Sequence, residues 1–239
     1  MQSVQQRASD FLLDTVLKEP CRKTERPLVT LTYAQSINCV LGGPNQTALT
    51  ISSPESLILT HILRNTHDAI LVGIGTVLSD NPKLTTRFLE GVEIRHPRPV
   101  VIDPLLQIPP DCGLLERNAI VYCLNQVSRD SIKRISEMGG EVVQLDPDSS
   151  GRLDIIHILY SLGSEFKVER LMVEGGATVI RDFLAKKDVV DSVLITVSPK
   201  FICDAGVSLR YSNPIDLALS DVRYLQLGED MIIQGRPSR

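Results

Sequence analysis

The sequence predicts an α/β protein with a mostly parallel central sheet, helices on both faces and an antiparallel C-terminal edge. Short, nearly continuous apolar runs recur at Ala69–Ile74, Pro99–Ile102, Ala119–Leu124 and Leu171–Val173, as in strands buried on both faces. Helical segments alternate with these runs, which implies parallel strands joined by crossover helices. Near the end, Tyr224–Leu227 and Met231–Ile233 flank Gly228-Glu229-Asp230 like the two arms of a hairpin.

From the start, residues 4–18 place Phe11, Leu12, Val16 and Leu17 near helical spacing. They predict an amphipathic helix packed on the body or on a second subunit. Lys18–Arg26 is polar, contains Pro20 and reads as a connector. Residues 1–25 are thus expected to form an N-terminal helix and connector, and 26–239 a single domain. Leu28–Ala34 is the first strand, followed by a loop over Asn38–Gln46. Ser52-Ser53-Pro54-Glu55 is a strong helix start: serine caps free N–H groups, proline fits the first turn and glutamate complements the dipole. That helix should run to about Asn65. After the strand Ala69–Ile74, Gly75–Leu78 is a turn or short helix stopped by Asn81-Pro82. Ser131–Met138 is helical and ends at Gly139-Gly140. Val142–Leu145 is a strand, Ile155–Leu162 a helix, Thr178–Ala185 a helix and Val193–Val197 a strand.

Composition narrows the function. The 239 residues hold 25 basic and 29 acidic side chains, a formal charge of −4, which argues against a nucleic-acid partner. No apolar run approaches the ~20 residues that span a bilayer, so no membrane role is expected. Met1–Glu19 lacks the pattern of a secretory signal. The five cysteines, Cys21, Cys39, Cys112, Cys123 and Cys203, are odd in number and contain no CxxC pair. Free thiols and a cytoplasmic location follow. His61, His67, His96 and His157 are scattered, so no metal is expected.

Two segments carry candidate chemistry. Gly73-Ile74-Gly75-Thr76-Val77-Leu78-Ser79-Asp80-Asn81-Pro82 follows a buried strand. Its two glycines allow close backbone approach. Leu78 stands where a dinucleotide fingerprint has its third glycine, so the Rossmann signal is incomplete. Its polar residues nevertheless fall where open α/β sheets bind ligands. Glu174-Gly175-Gly176-Ala177-Thr178 joins a strand to a helix, and helix N-termini bind anions such as a pyrophosphate. Arg64, Lys83 and Arg87 supply basic groups, and arginine grips phosphate well.

In order and spacing, several segments resemble the reductase family of riboflavin biosynthesis. They are Arg26–Ser36 with Asn38, Ile51–Glu55, His61–Arg64, Asp68–Arg87, Pro97–Asp103 and Glu174–Ala177. The free-standing fungal members are most similar. The resemblance implies a dihydrofolate reductase-like fold, a homodimer and NADPH-dependent reduction of the ribosyl chain of a small-molecule substrate, a phosphorylated ribosylaminopyrimidine, to a ribityl chain. Bacterial members are commonly fused to a zinc deaminase, whose motifs are absent here.

Carried over by position, Thr76, Asp80, Gly175, Gly176, Ala177, Thr178, Val179 and Ile180 are expected to bind the cofactor, with Thr50 as a further candidate. Asn38, Arg64, Leu84, Arg87 and Glu174 are expected on the substrate side, Glu174 also as the catalytic residue. Many members have Ser-Leu-Asp-Gly and then a basic residue where this chain has Ser36-Ile37-Asn38-Cys39-Val40. The amide of Asn38 can still hydrogen-bond a sugar or pyrimidine. Two alternatives stay open: a same-fold reductase of another pterin- or pyrimidine-like substrate, and a non-catalytic nucleotide-binding protein.

Overall fold

A computed structural model of the chain describes residues 2–18, 25–43, 49–202, 206–209 and 217–238. Pro20 and Cys21 of the expected connector, residues 44–46 of the expected loop and Cys203 lie outside the described residues.

Helix α1 (Val4–Asp14) is capped by the Ser3 hydroxyl, which accepts from the Gln6 N–H at 3.1 Å. Its stripe buries Ala8 and Leu12 in one core cluster with Leu59 and Leu63 of α2 (Pro54–Thr66), so it packs on the body of its own chain. α2 starts as the Ser-Ser-Pro-Glu signal predicts. The Ser53 hydroxyl accepts from the Ser56 N–H, Pro54 sits in the first turn and Glu55 faces the dipole.

Strand β1 (Leu28–Ser36) lies centrally, and β2 (Val40–Gly42) follows it. After α2 come β3 (Ala69–Gly73), α3 (Ile74–Asp80), β4 (Arg98–Ile102), β5 (Ile120–Leu124), α4 (Arg129–Glu137), β6 (Glu141–Leu145), α5 (Ile155–Ser164), β7 (Arg170–Val173), α6 (Ala177–Ala185), β8 (Ser192–Ser198), β9 (Val207–Ser208), β10 (Leu219–Leu227) and β11 (Asp230–Pro237).

Among the described residues, nine strands form one sheet in the order β10-β11-β8-β1-β7-β3-β4-β5-β6. It is parallel from β8 to β6, and β11 and β10 add an antiparallel edge. α1, α2, α4 and Val77 of α3 bury one face, and α5 and α6 the other. Buried His67 is held between the Thr30 hydroxyl at 2.9 Å and the Leu63 carbonyl at 2.7 Å.

Three local differences separate expectation from structure. Ile74 begins α3 instead of ending β3, because the chain turns at Gly73. β2 and β9 pair with each other as a small second sheet. They are too short to show a period in the sequence. β10 and β11 extend well beyond the apolar runs that announced them, because β10 exposes most of its length and so carries polar residues.

The topology sets the site. β3 and β7 are parallel neighbours. From β3 the chain passes to β4 on one face, while from β7 it passes to β8 through α6 on the other. The two connections diverge at the C-terminal ends of adjacent strands. Such a switch point leaves a crevice where open α/β sheets bind their ligands.

Candidate active site

The turns after β3 and β7 meet in this crevice. A Cβ placed on Gly176 would come within 3.0 Å of Thr76 Oγ1, and one on Gly73 within 2.8 Å of Val179 Cγ2. A Cβ on Gly175 would also strike Val179. Glycine is therefore required for the two turns to close on each other. Gly176 caps α6 with no side-chain hydrogen bond to the helix, so the first N–H groups of α6 lack an intrahelical partner and favour an anion.

Ala177 and exposed Thr178 open this helix, whereas the side chains of Val179 and Ile180 are core. The latter two can offer only main chain. Asp80 ends α3 exposed to solvent, where the helix dipole does not favour an acid. Its N-terminal neighbour in the site, Thr76, is half-buried.

Beside the glycine turn, Arg64 and Glu174 form a bidentate pair. Nε donates to Oε1 at 2.9 Å and Nη2 to Oε2 at 2.6 Å. The side chains are only 12% and 17% exposed, so solvent screens the pair little. Each Glu174 oxygen keeps a second lone pair for a ligand donor. Arg64 Nη1 also donates to the Thr85 carbonyl at 3.2 Å.

That third bond belongs to a set that pins the loop after α3. Arg117 donates to the carbonyls of Lys83 at 2.6 Å and Pro97 at 2.7 Å. His61 Nδ1 accepts from the Arg87 N–H at 3.0 Å. Gln5 of α1 exchanges two hydrogen bonds with the Glu90 main chain, at 2.9 and 3.0 Å. Leu84 and Phe88 hold left-handed φ values of 50° and 62°, a conformation that non-glycine residues keep only under outside constraint.

Held this way, the loop buries Leu84 in the core at 2% exposure and leaves Arg87 in solvent. Leu84 thus faces the core with its side chain, and any contact it makes with a ligand is through its main chain. The Arg87 guanidinium lies 5.3 Å from the centre of the Phe88 ring, a cation–π placement.

Positive charge concentrates here. Burial, then Arg64 and Arg87, push the His61 imidazole down to about 4. Burial and Arg64 also lower Arg117. Neutral His61 can accept a hydrogen bond, and the surrounding cations suit a phosphate.

Two further expected residues, Asn38 and Thr50, are exposed. Asn38 is engaged by its own chain: Oδ1 accepts from Ser36 Oγ at 2.8 Å and the Ile202 N–H at 3.1 Å, and Nδ2 donates to the Ile202 carbonyl at 2.8 Å. One N–H of its amide is left for a ligand. Thr50 is exposed, and its carbonyl and that of Ile51 each accept from Lys200 Nζ at 3.1 Å. Among the described residues, no three His, Cys, Asp or Glu side chains group as a metal site requires. Among the same residues no helix is long and apolar enough to cross a membrane.

The parts of Arg117, Gln5 and His61 in shaping this loop are not expected from the sequence pattern. Arg117 and Gln5 act on main-chain groups far along the chain and leave no local motif. His61 carried a signal, its position one turn before Arg64 on the same helix.

The profile of the RibD C-terminal domain matches residues 27–233. The chain belongs to the RibD C-terminal domain family. A relative from Debaryomyces hansenii, named 2,5-diamino-6-ribosylamino-4(3H)-pyrimidinone 5′-phosphate reductase, is 33% identical over 240 residues, 94% of each chain. The riboflavin biosynthesis protein RibD of Aquifex aeolicus is 30% identical over 214 residues, which cover 87% of this chain and 57% of that longer protein. The solved riboflavin biosynthesis reductase Rib7 of Saccharomyces cerevisiae superposes with a TM-score of 0.78 at 27% identity, covering 96% of this chain and 98% of that one. The RibD-type, dihydrofolate reductase-like architecture is the one this chain adopts, with its mostly parallel sheet and antiparallel C-terminal edge.

Proposed function

We propose that this chain is the NADPH-dependent reductase that converts the ribosyl chain of 2,5-diamino-6-ribosylamino-4(3H)-pyrimidinone 5′-phosphate to a ribityl chain, an early step of riboflavin biosynthesis. Family membership and the relatives' shared name support the reaction. The single structural observation that carries it is the meeting of Thr76 with Gly176 beside the Arg64–Glu174 pair. An anion cradle and a charged pocket thereby share one crevice.

The residues fit a nicotinamide dinucleotide. The glycine turn at the start of α6 leaves room and free N–H groups for the pyrophosphate. Gly175, Gly176, Ala177 and Thr178 would hold it there, with the main chain of Val179 and Ile180. Thr76 and Asp80 would bind from the opposite wall, with Thr50 at the rim. When bound, the reduced nicotinamide supplies a hydride.

Reduction needs that hydride at C1′ of the opened ribosylamine and a proton at the adjoining nitrogen. Glu174 accepts hydrogen bonds from the sugar or its amino group and so orients C1′. Arg64 fixes the carboxylate, and Arg87 binds the 5′-phosphate. Asn38 lends its remaining N–H, and Leu84 bounds the pocket through its main chain. Orientation of this kind supplies much of an enzyme's rate.

The working form is a cytoplasmic homodimer. Absorbance at the reduced-nicotinamide band tests the activity, with NADPH and NADH offered in turn. Substrate-dependent oxidation of NADPH that yields the ribityl product supports it. Oxidation driven by dihydrofolate instead rejects it in favour of a pterin reductase.

A further inference from the structure

Arg87 is exposed, yet its place in the pocket is fixed from behind. We propose that His61 is the positioning residue for Arg87, acting through the Arg87 main chain to hold the guanidinium where it binds the substrate phosphate. This rests on the reading of Arg87 as the phosphate ligand.

His61 is 2% exposed, so it has almost no surface to offer a ligand. Its Nδ1 accepts the Arg87 N–H at 3.0 Å, which places the ring proton on Nε2. The same ring meets Phe88 edge-to-face, with centroids 4.9 Å apart and planes at 86°. The Phe88 ring in turn lies under the Arg87 guanidinium. One imidazole therefore restrains Arg87 twice, at its main chain directly and at its head through Phe88.

The need for this restraint is visible in the backbone. Phe88, next to Arg87, has φ 62°, and Leu84 has φ 50°. Each left-handed position is strained for a residue with a side chain and relaxes if its surroundings let go. His61 supplies its acceptor between these two points. Burial is the main cause that keeps His61 neutral, Arg64 and Arg87 add to it, and the backbone at Thr85 opposes them only in part, so the acceptor persists at neutral pH.

The test compares wild type with His61→Leu, His61→Gln and His61→Asn, on the 5′-phosphorylated substrate and its dephosphorylated form. Leucine fills the space without an acceptor. Glutamine places its oxygen one carbon further out. Asparagine puts Oδ1 close to the place of Nδ1. The expected result is a KM for the phosphorylated substrate raised about fivefold to tenfold by leucine and by glutamine, with kcat changed less than about twofold. The KM for the dephosphorylated form stays unchanged, asparagine recovers most of the loss, and His61→Leu adds little to Arg87→Ala.

Equal losses on both substrates, no recovery by asparagine, or full additivity with Arg87→Ala would overturn the proposal. Should His61→Leu fail to bind NADPH or to melt cooperatively, the contrast between glutamine and asparagine decides. If Arg87→Ala itself leaves the KM of the phosphorylated substrate unchanged, the reading of Arg87 is what fails. If Arg87→Ala is impaired while His61→Leu and His61→Gln match wild type, only the role of His61 fails.

Discussion

Arg64 and Glu174 face each other through two parallel hydrogen bonds, and so tie the end of α2 to the turn between β7 and α6. These segments lie 110 residues apart in sequence. The pair both orients a carboxylate toward the crevice and carries the guanidinium that grips the Thr85 carbonyl. Removing either partner leaves a largely enclosed charge without its counterion.

Arg64→Ala and Glu174→Gln are each expected to reduce kcat/KM, and the double variant is expected to lose less than the sum. Steady-state kinetics on the four proteins of the cycle measure the coupling. A value of about 1.5–3 kcal/mol is expected for charge-assisted bonds of this geometry. Simple additivity would show that the pair does not act as a unit.

Gly176→Ala tests the cradle. Its Cβ would stand 3.0 Å from Thr76 Oγ1, in the space proposed for the dinucleotide. NADPH titration followed by fluorescence should show affinity weakened by about tenfold, or ~1.4 kcal/mol. An unchanged Kd places the cofactor elsewhere.

Much of this site was legible in the sequence because its parts sit at strand ends. Gly73–Asp80 and Glu174–Thr178 each follow an apolar run, and their glycines announced the close approach that the structure shows. The partnership between them was not legible from pattern. It follows from the parallel neighbours β3 and β7 sending their chains to opposite faces, which is a property of strand order. Arg64 and Glu174 were both expected near the substrate, but their mutual pairing needs the fold. Leu84 read as a pocket residue, whereas its left-handed φ turns the side chain into the core.

His67 makes stability depend on pH. Burial lowers its imidazole from 6.5 to about 4, so it stays neutral in the folded chain. The unfolded chain binds the proton below about pH 6.5. Stability is therefore complete above that pH and falls as the pH drops from 6.5 toward 4, by about 3 kcal/mol across the window for this one group. His61, lowered to about 4 as well, acts in the same direction. Chemical denaturation at pH 7 and pH 4.5 should show the drop, and His67→Asn should reduce it to the share left by His61. A stability that rises on acidification would contradict the sign.

Helix α1 lies outside the residues matched by the family profile, yet it contributes Leu12 to the core with no exposed surface. Leu12→Ala should cost about 2–5 kcal/mol, as expected for a buried leucine. Urea unfolding measures this. A loss below about 0.5 kcal/mol, typical of surface substitutions, would show that α1 does not share the core.

Isotope transfer follows the hydride from the cofactor to the sugar. NADPH carrying deuterium at C4 of the nicotinamide, on each face in turn, is incubated with the enzyme and the ribosylaminopyrimidine phosphate. NMR of the product should show deuterium at C1′ of the ribityl chain from one labelled face only. Deuterium at C1′ from neither face, or its arrival from D2O in place of the cofactor, would contradict direct hydride delivery in the crevice between Thr76 and Glu174.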